Sequence, residues 1–120
     1  MGFKMMVVIQ GTRSFSDYNV FLRAMGTALS MLDNDDKEVS IYSAGPSNIN
    51  SMGLEFCNIS ERSLKARGIR IRFNKAPVSW IRQNLNDADY IVYFSKPKEP
   101  VSDIIKLAEA RDLEVGIYRF

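Results

Sequence analysis

The sequence predicts an α/β fold. The expected form is a Rossmann-like three-layer α/β/α sandwich on a five-stranded, mostly parallel sheet of order 3-2-1-4-5. Three observations predict it. First, short β-rich runs alternate with stretches of helical periodicity, in the order β-α-β-α-β-α-β-α-β. Such alternation builds a parallel sheet with helices on both faces. Second, the opening run Met5–Gln10 (MMVVIQ) is apolar up to its last residue, as a strand buried on both faces must be. Third, 120 residues hold one such domain and not two. No repeat, low-complexity tract or linker divides residues 1–120, so a single domain is expected.

The elements follow in order. Gly11 stops the first strand. Ser16 or Asp17 caps a helix whose inward stripe is Phe21, Met25, Ala28, Leu29 and Leu32. The polar stretch Asp33–Lys37 turns the chain, and Glu38–Ser43 is a second strand with Val39, Ile41 and Ser43 on one face. After the loop Ala44–Asn48, a second helix carries Ile49, Met52, Phe56, Ile59 and Ser63, with Gly68 as its stop. Ile69–Phe73 (IRIRF) alternates, which suits a strand near an edge. Pro77 opens a short helix with Val78, Ile81, Leu85 and Ala88 inward. Asp89–Phe94 is a fourth strand, and Ser95–Pro100 a loop stiffened by two prolines. Val101, Ile104, Ile105 and Ala108 mark a fourth helix, and Glu114–Tyr118 a fifth strand.

Composition narrows the chemistry. There is no histidine and one cysteine, Cys57, so zinc sites of the Cys/His type and histidine-based catalysis are excluded. No metal and no cofactor are expected, and no catalytic residue can be assigned. Cys57 reads as a packing residue, because no base is at hand to activate it. One cysteine cannot form an internal disulfide, which fits a reducing compartment. No membrane-length apolar run and no secretory leader are seen, so a cytoplasmic protein is expected. The net charge of +2 is too small to argue for nucleic-acid binding.

In open parallel sheets, ligands bind at the C-terminal strand ends near the reversal of strand order, here between strands 1 and 4. The loops to inspect are therefore Gly11–Asp17, Ala44–Asn48 and Ser95–Pro100. In the first, Gly11 allows close backbone approach, Thr12 and Ser14 offer hydroxyls, and Arg13 offers a two-pronged anion ligand. That pattern is either a phosphate cradle or a helix-capping loop with a solvated arginine. In the second, Gly45, Pro46, Ser47, Asn48 and Asn50 crowd a strand-to-helix turn, which either aims amides at the same crevice or simply lets Asn48 cap the helix. It is neither a P-loop nor the three-glycine dinucleotide fingerprint. Arg82 lies off the inward stripe of its helix, at the crevice rim or in solvent. Ser95 and Lys96 complete the candidate set. Trp80, the only tryptophan, serves as packing or as a stacking surface.

These residues together resemble the SLOG superfamily, the Rossmann-like group that includes the LOG proteins and DprA/Smf. The similarity is greatest to its YspA-like (YpsA-related) branch. That branch opens with strand-Gly-Ser-Arg-x-Phe-x-Asp, and Gly11-Thr12-Arg13-Ser14-Phe15-Ser16-Asp17 matches with Thr for Ser. In place of its Gly-Gly-Ala-x-Gly-x-Asp stands Ala44-Gly45-Pro46-Ser47-Asn48-Ile49-Asn50, where only Gly45 is identical and Asn50 replaces the acid. Ile81-Arg82-Gln83-Asn84 echoes a later Ile-Arg-Asn-Gln pattern. The resemblance implies a nucleotide-like small molecule, for example a derivative related to ADP-ribose, held by the first two loops. It also implies a homodimer or higher homo-oligomer. LOG-type enzymes hydrolyse the N-glycosidic bond of nucleoside monophosphates with a Gly-rich acidic motif. Here Ser95-Lys96-Pro97-Lys98-Glu99-Pro100 stands in its place.

The resulting expectation is a protein that binds a nucleotide or nucleotide-derived signal. Gly11, Thr12, Arg13 and Ser14 would hold phosphate, Gly45, Ser47 and Asn48 would present amides, Asn50 would read ribose or base, and Arg82 would close the site. A phosphoribohydrolase is the alternative, with Asp17, Asp87, Asp89 or Glu99 as its carboxylate. A further alternative is single-stranded nucleic-acid binding as in the DprA branch, through Arg13, Arg82, Lys96, Lys98 and Trp80 or Tyr93. A scaffold that binds another protein is the last.

Overall fold

A computed structural model describes residues 3–120. Five strands, β1 (Phe3–Gly11), β2 (Asp36–Ser43), β3 (Arg70–Lys75), β4 (Tyr90–Ser95) and β5 (Val115–Arg119), form one sheet. The order is β3-β2-β1-β4-β5 and every pairing is parallel, as the sequence predicts. The helices are α1 (Tyr18–Leu29), α2 (Ser47–Ala66), α3 (Val78–Gln83) and α4 (Asp103–Ala110), with a 3-10 turn at Leu85–Asp87. Among the described residues no helix is long and apolar enough to cross a membrane.

The alternating side chains of β1 feed two separate cores. Val7 and Ile9 point to one face, where α1 and α2 contribute Phe21, Met25, Ile49 and Phe56. Met6 and Val8 point to the other, where Ile81, Leu85, Ile104 and Ile105 cover them. That division follows from the topology. From β1 the chain steps outward to β2 and β3, then jumps back to β4 and steps to β5. Right-handed crossovers in opposite directions place their helices on opposite faces. Val7 pairs with Ile41 on one side and with Tyr90 on the other, which makes β1 the centre of the sheet.

α2 meets the sheet through glycine contacts that leave no room for a Cβ. A Cβ on Gly53 would come within 2.6 Å of Phe73 and 2.9 Å of Ile9. A Cβ on Gly11 would come within 2.6 Å of Ile49 at the start of the same helix. Real Cβ atoms do not tolerate such distances, so glycine at both positions lets the helix settle.

Several boundaries and stripes differ from the sequence expectation. Ile59 is 59% exposed, because the buried arc of α2 runs through Ile49, Gly53, Phe56, Cys57 and Leu64. At about 100° per residue, position 59 falls outside that arc. Val78 is 45% exposed at the first position of α3, before that helix reaches the sheet. The expected third helix is shorter, with Leu85 in the 3-10 turn. Val101 precedes α4, which is capped by Ser102. Trp80 is half-buried and stacks on Tyr42 at 4.6 Å, which is the packing role.

This packing separates two glycines of the same face of the fold. Gly26 is exposed in the middle of α1, and a Cβ placed there would meet nothing within 4 Å. Gly26→Ala should raise stability by about 0.5–1 kcal/mol through helix propensity. Gly53→Ala has the same propensity gain but is expected to lose about 1–3 kcal/mol net from overpacking. Urea denaturation checks the pair, and equal effects at the two sites would contradict the close seating of α2. Burial also makes stability depend on pH. Cys57 is buried, and desolvation followed by the Glu61 charge lifts its thiol from 9.0 to about 11. Burial first, then the hydrogen bond with Tyr118, pushes Tyr90 upward as well. Folded values raised in this way mean that stability is complete below the unfolded value and is lost as pH rises through the folded one. The urea midpoint should therefore fall between pH 9 and pH 11, and fall less in Cys57→Val. A midpoint flat across that range would contradict the burial.

Candidate functional site

The loop after β1 is held by its own backbone and one aromatic ring. Thr12 N–H extends the β1–β4 ladder to the Phe94 carbonyl at 3.0 Å, and Phe15 N–H turns back to the Thr12 carbonyl at 3.2 Å. Phe15 is fully buried. Its ring stacks on Phe94 at 4.4 Å and meets the edge of Phe120 at 4.9 Å. Asp17 then caps α1, accepting from the Asn19 and Val20 amides. With both ends anchored, Arg13 and Ser14 stand exposed at the apex. The Thr12 and Ser14 hydroxyls lie 3.2 Å apart.

The loop after β2 is equally tight. The buried Ser43 hydroxyl accepts from Gly45 N–H at 3.1 Å. Gly45 has φ +104°, a conformation other residues rarely adopt. Pro46 is the N-cap of α2, and it has neither a capping side chain nor an N–H. Its carbonyl receives the Ile49 and Asn50 amides at 3.0 and 3.1 Å. The amides of Ser47 and Asn48, the first two of a 20-residue helix, have no partner among the described residues. No acidic residue occupies that first turn, so the positive end of the helix is uncompensated.

Asn48 joins the two loops. Its Nδ2 donates to the Phe15 carbonyl at 2.7 Å and the Thr12 carbonyl at 3.1 Å. It therefore does not cap its helix; it clasps the neighbouring loop. One residue further on, Ile49 fills the notch that Gly11 leaves open. The outcome is a surface cleft of about 350 Å³ lined by Arg13, Pro46, Ser47 and Asn48. The residues that line it carry a guanidinium, two backbone amides without a partner among the described residues and a hydroxyl, groups that suit an anion. Asn50 lies next door. It lines two adjoining hollows, and its Oδ1 is buried without a partner.

The other candidates are placed elsewhere. Ser95 is fully buried, and its hydroxyl accepts from Arg119 Nη1 at 2.6 Å. Arg119 also donates to the Lys96 and Glu99 carbonyls, both at 2.9 Å, and so clips the loop after β4 to the end of β5. Lys96 is exposed on that clipped loop. Arg82 is exposed in the last turn of α3 and lines neither the Arg13 cleft nor the hollows at Asn50. The mouth between β1 and β4 is occupied by Phe15 and Phe120 on one face. On the other, Gln10 accepts from the Ser102 hydroxyl at 2.7 Å. Open space is therefore displaced by one strand, to the β1–β2 side.

The four candidate carboxylates also lie outside the Arg13 cleft. Asp17 is a helix cap, and Asp89 receives the Met6 amide at 2.8 Å at the opposite end of the sheet. Asp87 lines a hollow with Trp80 and Lys4, and Glu99 sits on the loop held by Arg119. Among the described residues no group of His, Cys, Asp or Glu side chains could hold a metal. Sequence reasoning missed Phe15 as a plug and Arg119 as a clip. A lone aromatic in a polar loop was a signal for the first, and the second left none.

Asn48→Ala removes both donors of the clasp and leaves two carbonyls half-satisfied. It should cost about 1–3 kcal/mol in chemical denaturation. A loss below about 0.3 kcal/mol would mean that the loops hold each other without it.

No protein-family model, no curated protein and no solved structure matches this chain.

Proposed function

We propose that the chain binds the phosphate of a nucleotide or nucleotide-derived small molecule in the cleft between the two loops. One observation carries the reading: Arg13 lines the same cleft as Ser47 and Asn48, the two residues whose amides begin α2 without a partner among the described residues. Oriented amides at the positive end of a long helix stabilise an anion, and a guanidinium adds charge-assisted hydrogen bonds. The resemblance of Gly11–Asp17 to the SLOG motif supports a nucleotide as the carrier of that phosphate. Thr12 and Ser14 share the loop of Arg13 without lining the cleft, while Gly11 and Gly45 serve by shaping the backbone. Binding rather than hydrolysis is the reading because the cleft lining includes no carboxylate to stabilise an oxocarbenium-like transition state. A single buried thiol suits work in a reducing cytoplasm.

The test is thermal stabilisation by inorganic phosphate and by nucleoside 5′-monophosphates. Arg13 is exposed, so Arg13→Ala should fold as the parent does. Its affinity for both probes should fall at least about tenfold, and that of the parent should weaken with added salt. Equal affinity in the variant would sink the assignment.

A further inference from the structure

α2 is the outermost helix on its face of the sheet, and β3 beside it is an edge strand. A groove of about 410 Å³ opens between them, lined by Ser47, Asn50, Ser51, Leu54, Phe73 and Lys75. Its walls come from two regular patterns. Positions 47, 50, 51 and 54 share one face of α2, and 73 and 75 share one face of β3. Leu54 is 52% exposed and Phe73 half-buried, so the groove has an apolar surface open to solvent. Its polar lining is biased toward donors. Lys75 can only donate. Asn50 buries its Oδ1, which leaves its Nδ2 to face outward. Ser47 lines this groove and the Arg13 cleft alike, so one molecule can occupy both.

We propose that this groove seats the base of the bound nucleotide, and that the base is one bearing ring carbonyls, as guanine and uracil do. The proposal rests on the phosphate reading above and assigns the second half of the ligand. A flat ring lies against Leu54 and Phe73 and removes both from water. Carbonyl oxygens at its edge accept from Asn50 Nδ2 and Lys75. Adenine presents an amino group at the corresponding edge, which leaves those donors unmatched, and unmatched donors discriminate strongly.

Calorimetric titration with guanosine, uridine and adenosine 5′-monophosphates, and with inorganic phosphate, tests this. Guanosine or uridine monophosphate should bind about tenfold tighter than the adenosine compound. Leu54→Glu, at a half-exposed position, should weaken guanosine monophosphate about tenfold and leave inorganic phosphate within about twofold. Asn50→Asp, which exchanges the donor for an acceptor, should erase the preference among bases. Adenosine monophosphate binding as tightly as the other two, or no effect of Leu54→Glu on the guanosine compound, overturns the groove assignment. If Arg13→Ala still weakens every nucleotide in that case, the phosphate reading survives alone. If neither inorganic phosphate nor any nucleotide binds the parent protein, both readings fall.

Discussion

α2 can lie against the sheet as it does because two positions at the contact lack a Cβ, Gly53 on the helix and Gly11 at the end of the central strand. Gly53 admits Phe73 and Ile9, and Gly11 admits Ile49. A side chain at either position would lift the helix by a fraction of an ångström or more, in a core packed at crystal-like density. The first turn of α2 would then leave the loop after β1. With glycine in both places the helix start is fixed against the central strand, and the two loops at the C-terminal strand ends take their position from there.

The two loops inherit their geometry from that contact. Ile49 in the Gly11 notch brings Asn48 within 2.7 Å of the Phe15 carbonyl, and the Asn48 clasp holds the loop whose far end Phe15 plugs into the aromatic core. Arg13 is thereby kept opposite the uncapped amides of Ser47 and Asn48. The same Phe15 closes the mouth between β1 and β4, and Arg119 fastens the loop after β4. Closing one crevice and opening its neighbour are thus one packing event. The uncapped helix start fits this pattern: Pro46 supplies no side-chain acceptor, so the positive helix end stays available.

Much of the fold was legible because it is written in periodicity. The unbroken apolar run of β1, buried on both faces, and the alternation of strand and helix were enough for layers, strand order and parallel pairing. The juxtaposition of the Arg13 loop with Pro46–Asn48 was legible too, since both follow adjacent parallel strands and so leave the sheet at the same C-terminal strand ends. What periodicity does not encode is which loop a side chain reaches. Asn48 looks like a helix cap by type and position, yet it bonds across to residues 33 and 36 positions earlier. Ser95 looks free in sequence, but Arg119 from the other end of the chain claims it. Ile59 shows a local limit of the same kind: helical spacing gives a stripe, and the arc of α2 that meets the sheet, through Ile49, Gly53, Phe56, Cys57 and Leu64, leaves position 59 outside it.

The measurement closest to the heart of this structure is a backbone amide NMR titration with inorganic phosphate. The proposed phosphate site predicts that the largest shifts fall on the Ser47 and Asn48 amides, with Arg13 and its loop neighbours next. Shifts centred instead on the Ser95–Pro100 loop and the start of α4, or none at saturating phosphate, would contradict it.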